Sequence, residues 1–259
     1  MKKRTLTSII VCAVLIIIVF TACAVTTTVV GQNKDNYTKE ELVELIADMQ
    51  NIKTNAHSMA ESARVLGWKE DDSLIQELKT KWNDANEKEK EYQILLNNIL
   101  AKEKQAEEEA AAKWAVKAAE YPAATEIWLY MKNLGWNDYV CAGIMGNLMA
   151  EVGGQTLNIR YTLSSSGYYG MCQWSRQYCN IWGAGLETQC DYLRDTIKKE
   201  FDNFGFKYQK GFNYDSFLNM NDAQQAALAF AKCYERCASG SYTIRQKNAL
   251  KAYEYFVNN

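Results

Sequence analysis

The stretch Gly143-Ile144-Met145-Gly146-Asn147-Leu148-Met149-Ala150-Glu151-Val152-Gly153-Gly154 decides what the C-terminal half of this chain builds. It reads as a helix that runs out at a glutamate and a pair of glycines. Leu148, Ile144 and Val140 precede Glu151 at helical spacing, so its carboxyl is expected on the apolar stripe of its own helix. A carboxyl pressed against apolar neighbours holds its proton more tightly, and the negative end of the helix dipole adds to the effect. That is how a glutamate becomes a general acid near neutral pH. Gly143 and Gly146 leave room for a neighbouring helix, and Gly153-Gly154 suits a C-cap. An ordinary helix-end glutamate with its tip in water satisfies the same pattern.

Working outward, a polar stretch leads to Ser164-Ser165-Ser166-Gly167-Tyr168-Tyr169-Gly170-Met171-Cys172-Gln173-Trp174-Ser175-Arg176, which is expected to form a hairpin or loop. Glycines let backbone approach a ligand, and aromatic faces suit sugar rings. An I-M-G-N-x-x-x-E helix followed by Y-G-M-x-Q-W resembles the phage tail lysozyme family. That family is a branch of the lysozyme-like superfamily, which also holds goose-type lysozymes and lytic transglycosylases with their E-S helix end and G-L-M-Q turn. The likeness continues in order through A-A-L-A-F-A-K-C-Y-E (Ala226 to Glu235) and a closing helix from Arg245 to Phe256. It covers roughly Ile127 to Phe256, about half of the chain.

The resemblance implies a muramidase acting between N-acetylmuramic acid and N-acetylglucosamine, with Glu151 as general acid/base. Gln173 and Trp174 match the family's turn and would face the sugar near the scissile bond. Tyr168, Tyr169 and Tyr234 are candidates for sugar stacking, though single tyrosines also fill core edges. Glu235, with Glu187 and Asp191, is a candidate for activating water, and Arg176 and Arg236 could meet muramic carboxylates. No acidic residue lies between Glu151 and Glu187, where a hen-type lysozyme carries its second acid. This departure from the double-carboxylate retaining pattern favours goose-type or transglycosylase chemistry, with one glutamate serving as acid and then as base. The alternative function is a non-catalytic, membrane-tethered wall-binding or scaffold protein of a conjugation or phage-derived apparatus.

Residues 121–259 carry 13 Lys/Arg against 12 Asp/Glu, so this half lacks the basic footprint that nucleic-acid binding leaves. The single histidine, His57, excludes Ser-His-Asp and Cys-His catalysis in a C-terminal domain. Six cysteines in that half (Cys141, Cys172, Cys179, Cys190, Cys233 and Cys237) are an even number in an exported domain and predict disulfides. Free buried thiols are the alternative. A tetrathiolate zinc site lacks any C-x-x-C pair, and no cofactor is expected.

Lys2-Lys3-Arg4 followed by an uncharged run with the apolar block Ile9 to Val25 reads as an export signal, leaving the remainder outside the membrane. A single-pass anchor and a lipoprotein processed at Cys23 both fit. Thr38-Lys39-Glu40-Glu41 is a capping box opening a helix with Leu42, Leu45, Met49, Ile52, Ala56, Met59, Ala63 and Leu66 in heptad spacing. A second helix opens at Ser73 with Ile75, Leu78, Trp82, Ala85, Tyr92, Leu96 and Ile99, its seam interrupted by Glu89. These predict an antiparallel hairpin whose second helix continues through Ala119, a spacer of about 70 Å; self-association through the seam is the alternative. The expected division is 1–33 for the membrane segment, 34–121 for the helical stalk and 122–259 for a mainly α, lysozyme-like domain with a small β-hairpin.

Within that domain, helices are predicted for Ala123 to Leu134, for the segment ending at Glu151 with an Asn137/Asp138 cap, and for Leu186 to Phe201. Gly205 to Asn219 reads as loop, Asn221 as the cap of a helix to about Glu235, and Thr243 to Val257 as a last helix with Leu250, Tyr253 and Val257 inward.

Overall fold

The structure, a computed structural model, describes residues 37–177 and 179–258. The membrane or lipoprotein expectation, including Cys23, falls outside the described residues; among those described, no helix is long and apolar enough to cross a membrane. The chain divides into two compact units at Glu109/Ala110.

The first unit contains α1 (Lys39–Val65) and most of α2 (Ser73–Glu120). Thr38 and Glu41 satisfy each other's backbone N–H groups, so the capping box is formed. The helices are antiparallel: Leu42 and Ile46 pack with Leu96, while Ala56, Ala60 and Ala63 pack with Ile75 and Leu78. The seam of α1 is rotated slightly from expectation. Leu42, Met49, Ala56 and Ala63 are buried as anticipated, but Ile46 and Ala60 replace Leu45 and Met59. Lys53 occupies the intervening seam position and explains the interruption at Glu89, to which it donates at 2.7 Å. Trp82 is not in the seam core; it is partly exposed, with Lys53 Nζ 5.3 Å from its ring centre.

The second unit begins with the last turns of α2. Trp114 stacks on Phe256, and Lys117 is buried with its Nζ 4.5 Å from the Tyr255 ring centre while donating to the Tyr255 carbonyl. There follow α3 (Pro122–Asn133), α4 (Asp138–Glu151), a three-stranded antiparallel sheet, α5 (Leu186–Phe204), α6 (Tyr214–Leu218), α7 (Ala223–Phe230) and α8 (Tyr242–Tyr253). The sheet strands are β1 (Ser164–Ser165), β2 (Tyr168–Tyr169) and β3 (Trp174–Ser175), in that order. Ser165 pairs with Tyr168, and Tyr169 with Trp174. The unit is mainly α with one small sheet, as expected, although α6 and a 3₁₀ turn at Gly205–Lys207 occupy a segment expected to be loop. Asp222 rather than Asn221 caps α7, accepting from Gln225 N–H.

The centre of this unit is α4. Its N-cap Asn137 accepts from Val140 N–H, and every residue from Val140 to Met149 is buried. There is therefore no single apolar stripe: α4 is enclosed all round, chiefly by α7 and α8. Two glycines make that enclosure possible. A Cβ at Gly143 would lie 2.6 Å from Ala226 Cβ, and one at Gly146 would lie 2.5 Å from the Arg245 carbonyl oxygen. The helix backbones meet where side chains would otherwise hold them apart.

That close approach corrects the reading of the last helix. Leu250 and Val257 are exposed, and the face of α8 turned to the core carries Arg245, Asn248, Ala249 and Ala252, followed by Phe256 in the terminal turn. Only small side chains fit against Gly146, and the polar members are admitted because α4 supplies partners for Arg245.

The disulfide expectation is also corrected: all six cysteines of this half are free. Cys141, Cys172, Cys190 and Cys233 are each enclosed in the core as small apolar side chains. Burial pushes the thiols of Cys141 and Cys190 up to about 12 and that of Cys233 up to about 11, so they are poor nucleophiles for exchange.

Candidate functional site

Glu151 ends α4, and its carboxylate accepts from Arg245 Nη2 on α8. Arg245 is 4% exposed, which makes this a largely buried ion pair on the arginine side. Its Nη1 donates to Asn147 Oδ1 at 3.0 Å and its Nε to Ser241 Oγ at 3.2 Å. Asn147, one turn before Glu151, donates from Nδ2 to the carbonyls of Gly143 and Ala227 at 2.8 and 3.0 Å. The network thus ties α4, α7 and α8 together with every polar atom of Asn147 and Arg245 engaged in at least one bond. The expected picture of a lone carboxyl against apolar neighbours is replaced by a guanidinium partner. Burial opposes the charge of Arg245, and the Glu151 hydrogen bond and charge outweigh it.

Glu235 lies close enough to Glu151 for their charges to interact, and it is placed by an unusual backbone. After Phe230 the α7 helix widens into a π turn at Ala231–Glu235, which rotates the side chains that follow relative to an α-helix. Arg236 then closes the turn in the left-handed region, at φ 52°. Glu235 Oε1 is buried and has no hydrogen-bond partner. Cys172 lies beside the same carboxyl and is followed by Gln173, another left-handed residue, at φ 48°. Burial first, and then the Glu151 charge, push the Glu235 carboxyl up to about 8 despite Arg245 and Arg236.

Glu235, though not Glu151, borders a cleft of about 900 Å³ whose wall also includes Tyr168, Cys172, Gln173, Trp174 and Thr196. Trp174 is held with one edge in this wall: its Nε1 donates to Tyr234 Oη at 3.0 Å, and that hydroxyl lies 2.9 Å from Thr196 Oγ1. Burial raises Tyr234 well above an ordinary tyrosine, keeping it a neutral partner in this relay.

The sequence-derived candidates separate accordingly. Tyr168, Gln173, Trp174, Tyr234 and Glu235 come together around the cleft. Tyr169 does not: strand alternation turns it inward, where its ring lies 5.1 Å from that of Trp182 and its hydroxyl donates to the Ala184 carbonyl. The Tyr234 ring stacks on Phe230, so its contribution to the cleft is the hydroxyl rather than an open face. Gln173 spends its amide on the turn itself, donating to the carbonyls of Leu163 and Gly170 and accepting from Ser165 Oγ. Asp191 accepts from Tyr130 and pairs with Arg194, and Glu187 stands exposed in the first turn of α5. Arg236 pairs with Glu200, while Arg176 lies over Trp182.

Three residues that hold the site escaped the sequence reading. Arg245 shares its helix face with the small residues Ala249 and Ala252, while the large apolar residues Leu250 and Val257, expected inward, lie on the exposed side. Asn147 lies inside the diagnostic helix but has no motif of its own. Gln189, fully buried on α5, accepts from Met171 N–H at 2.8 Å and donates to the carbonyls of Tyr161 and Ala184, so it anchors the hairpin to the helices. Its signal was a polar residue on the otherwise apolar face Leu186, Cys190, Leu193, Ile197 and Phe201.

A family model described as phage tail lysozyme matches residues 122–256. The chain belongs to the phage tail lysozyme family. No curated protein and no solved structure matches it. Membership points to a lysozyme-like glycosidase directed at peptidoglycan. The matched span contains the whole of the cleft and the Asn147–Arg245–Glu151 network of this phage tail lysozyme relative.

Proposed function

We propose that the C-terminal unit cleaves peptidoglycan between N-acetylmuramic acid and N-acetylglucosamine, with Glu151 as its essential acid–base carboxyl. The observation that carries this reading is the arrangement at the end of α4: a glutamate held by a buried arginine, beside a second carboxyl that borders a wide cleft. Glycosidic cleavage needs a proton for the leaving oxygen and stabilisation of positive charge at the anomeric carbon. An oriented carboxylate answers the second need directly, and a carboxyl pair answers the first. Exposed Tyr168 and the edge of Trp174 supply apolar surface of the kind sugar rings stack on. The basic N-terminus and the apolar block behind it, read from sequence, would deliver the unit to the wall side of the membrane. The alternative, a tethered wall-binding protein without catalysis, lacks a reason for a buried carboxyl with a raised pKa at the cleft.

The test is Glu151→Gln in the full chain on purified walls. Cleavage is expected to fall at least about a hundred-fold, the lower range of general acid–base catalysis, while wall binding by co-sedimentation persists. Cleavage at the wild-type rate would overturn the assignment. Mass spectrometry of the products reads the subclass: anhydro-muramic ends for a transglycosylase, reducing ends for a hydrolase.

A further inference from the structure

Resting on that reading, we propose that the side of the cleft formed by α5 and the π turn binds substrate carboxylates. Lys199 and Arg236 there select glycan strands whose muramic acids carry such groups, on the lactyl ether or on the peptide attached to it. The two sides of the cleft are chemically unlike. The hairpin side presents only uncharged groups, Gln173, Trp174 and Gln177 among them, which suit sugar hydroxyls and ring faces. The opposite side carries Thr196, Lys199, Glu200 and Asn203, spaced so that they share one face of α5, and Arg236 from the end of the π turn.

Charge carries the inference. Lys199 is exposed in the cleft wall and, among the described residues, has no ion-pair or hydrogen-bond partner. Arg236 is held in place: its Nη1 donates to Glu200, its guanidinium carbon lies 4.7 Å from the Phe204 ring centre, and its backbone is left-handed. A guanidinium fixed in this way loses little side-chain entropy on meeting an anion. Its Nε and Nη2 have no hydrogen-bond partner among the described residues. Glu200 is offset by Arg236, and burial pushes the Glu235 carboxyl up to about 8, so it adds little negative charge at neutral pH. Two cations therefore face one fixed anion, and a neutral glycan gives the surplus nothing to pair with. N-acetylmuramic acid differs from N-acetylglucosamine by a lactyl ether that ends in a carboxyl or continues into a peptide with carboxylates of its own. A strand whose rings lie along the hairpin side brings those groups into the same cleft as Lys199 and Arg236. Lys198, next in the chain, is engaged elsewhere: it donates to Asp202 at 2.7 Å, lies 5.7 Å from the Tyr214 ring centre and is not part of the cleft wall.

The experiment measures kcat and apparent KM at low salt for full-length wild type, Lys199→Glu, Lys199→Gln and Lys198→Glu. The substrates are purified walls, the same walls with their carboxyls capped as glycinamide amides, and glycan stripped of peptide by an amidase. On untreated walls Lys199→Glu is expected to raise KM about three- to ten-fold with kcat held, the scale of reversing one exposed charge opposite an anion. Lys199→Gln should raise it by less. The ratio of variant to wild-type KM should shrink toward one on capped walls, and salt should erode it on untreated walls. Stripped glycan separates the two sources: a ratio kept there assigns the carboxylate to the lactyl group, and a ratio lost there assigns it to the peptide. Lys198→Glu makes the same charge change off the cleft and should leave KM near that of wild type. An equal effect of the two glutamate variants would mean general attraction to an anionic wall and overturn the proposal. A ratio indifferent to capping, or one abolished by removing phosphate polymers from walls with intact carboxyls, would overturn it too. A Lys199→Glu enzyme with wild-type KM on every substrate overturns it and leaves the glycosidase reading standing. A wild type that releases no glycan fragments overturns both.

Discussion

Two helix pairings in this chain solve the same problem by opposite means. In the first unit, α1 and α2 meet through side chains in heptad spacing, with the charged seam positions Lys53 and Glu89 paired at a partly solvated site. In the second, α4 and α8 meet backbone to backbone at Gly146, and the polar residues between them are buried and mutually bonded. A side-chain seam tolerates exchange of its members, because each contact is local and water can solvate a lost partner. A glycine-mediated contact enclosing a guanidinium tolerates almost nothing, because neither the space nor the charge has anywhere else to go.

The largest effect that tests the contrast is expected for Arg245→Met, which leaves the Glu151 and Asn147 oxygens without their donor in a closed interface. Breaking a buried pair on one side costs about 3–5 kcal/mol, read as a drop in unfolding free energy in urea. A variant as stable as wild type would show that the network is incidental to the packing. Next comes Gly146→Ala. Its added methyl would meet the Arg245 carbonyl oxygen at 2.5 Å and Ala249 N at 2.6 Å, so α8 must move. The overpacking cost is about 1–3 kcal/mol, and glycan cleavage should fall with it because α8 carries Arg245. The smallest effect is expected for Lys53→Ala in the first unit. Lys53 and Glu89 keep 23% and 19% of their side-chain surfaces in solvent, and Gln50 remains to donate to Glu89. The melting of the hairpin should shift slightly at low salt and indistinguishably from wild type at high salt. A large loss would place this seam in the same class as the α4–α8 contact.

The same contrast explains what could be read in advance. Heptad spacing, the capping box at Thr38 and the cap at Asn137 are local rules, and the elements they predict are present. The seam of α1 slipped at Ile46 and Ala60 because a helix offers two adjacent apolar stripes and only the partner chooses between them. The hairpin segment was legible from its glycines and aromatics, but which tyrosine faces the cleft depended on strand register. Cysteine number and expected compartment suggested bridges that the packed thiols do not form.

Glu151, Trp174 and Glu235 could be chosen from the sequence because helix ends, turns and ordered motifs are short-range features. Their environments could not. Whether Glu151 stands alone or with a guanidinium depends on Arg245, 94 residues away, and whether Glu235 keeps its proton depends on a cleft wall assembled from the hairpin, α5 and the π turn. Local chain chemistry determined which elements form and where they stop, since capping, periodicity and turn preference act over a few residues. The tertiary structure decided which carboxyl is paired and which is left protonated, because desolvation and charge pairing act through space between groups the chain order keeps apart.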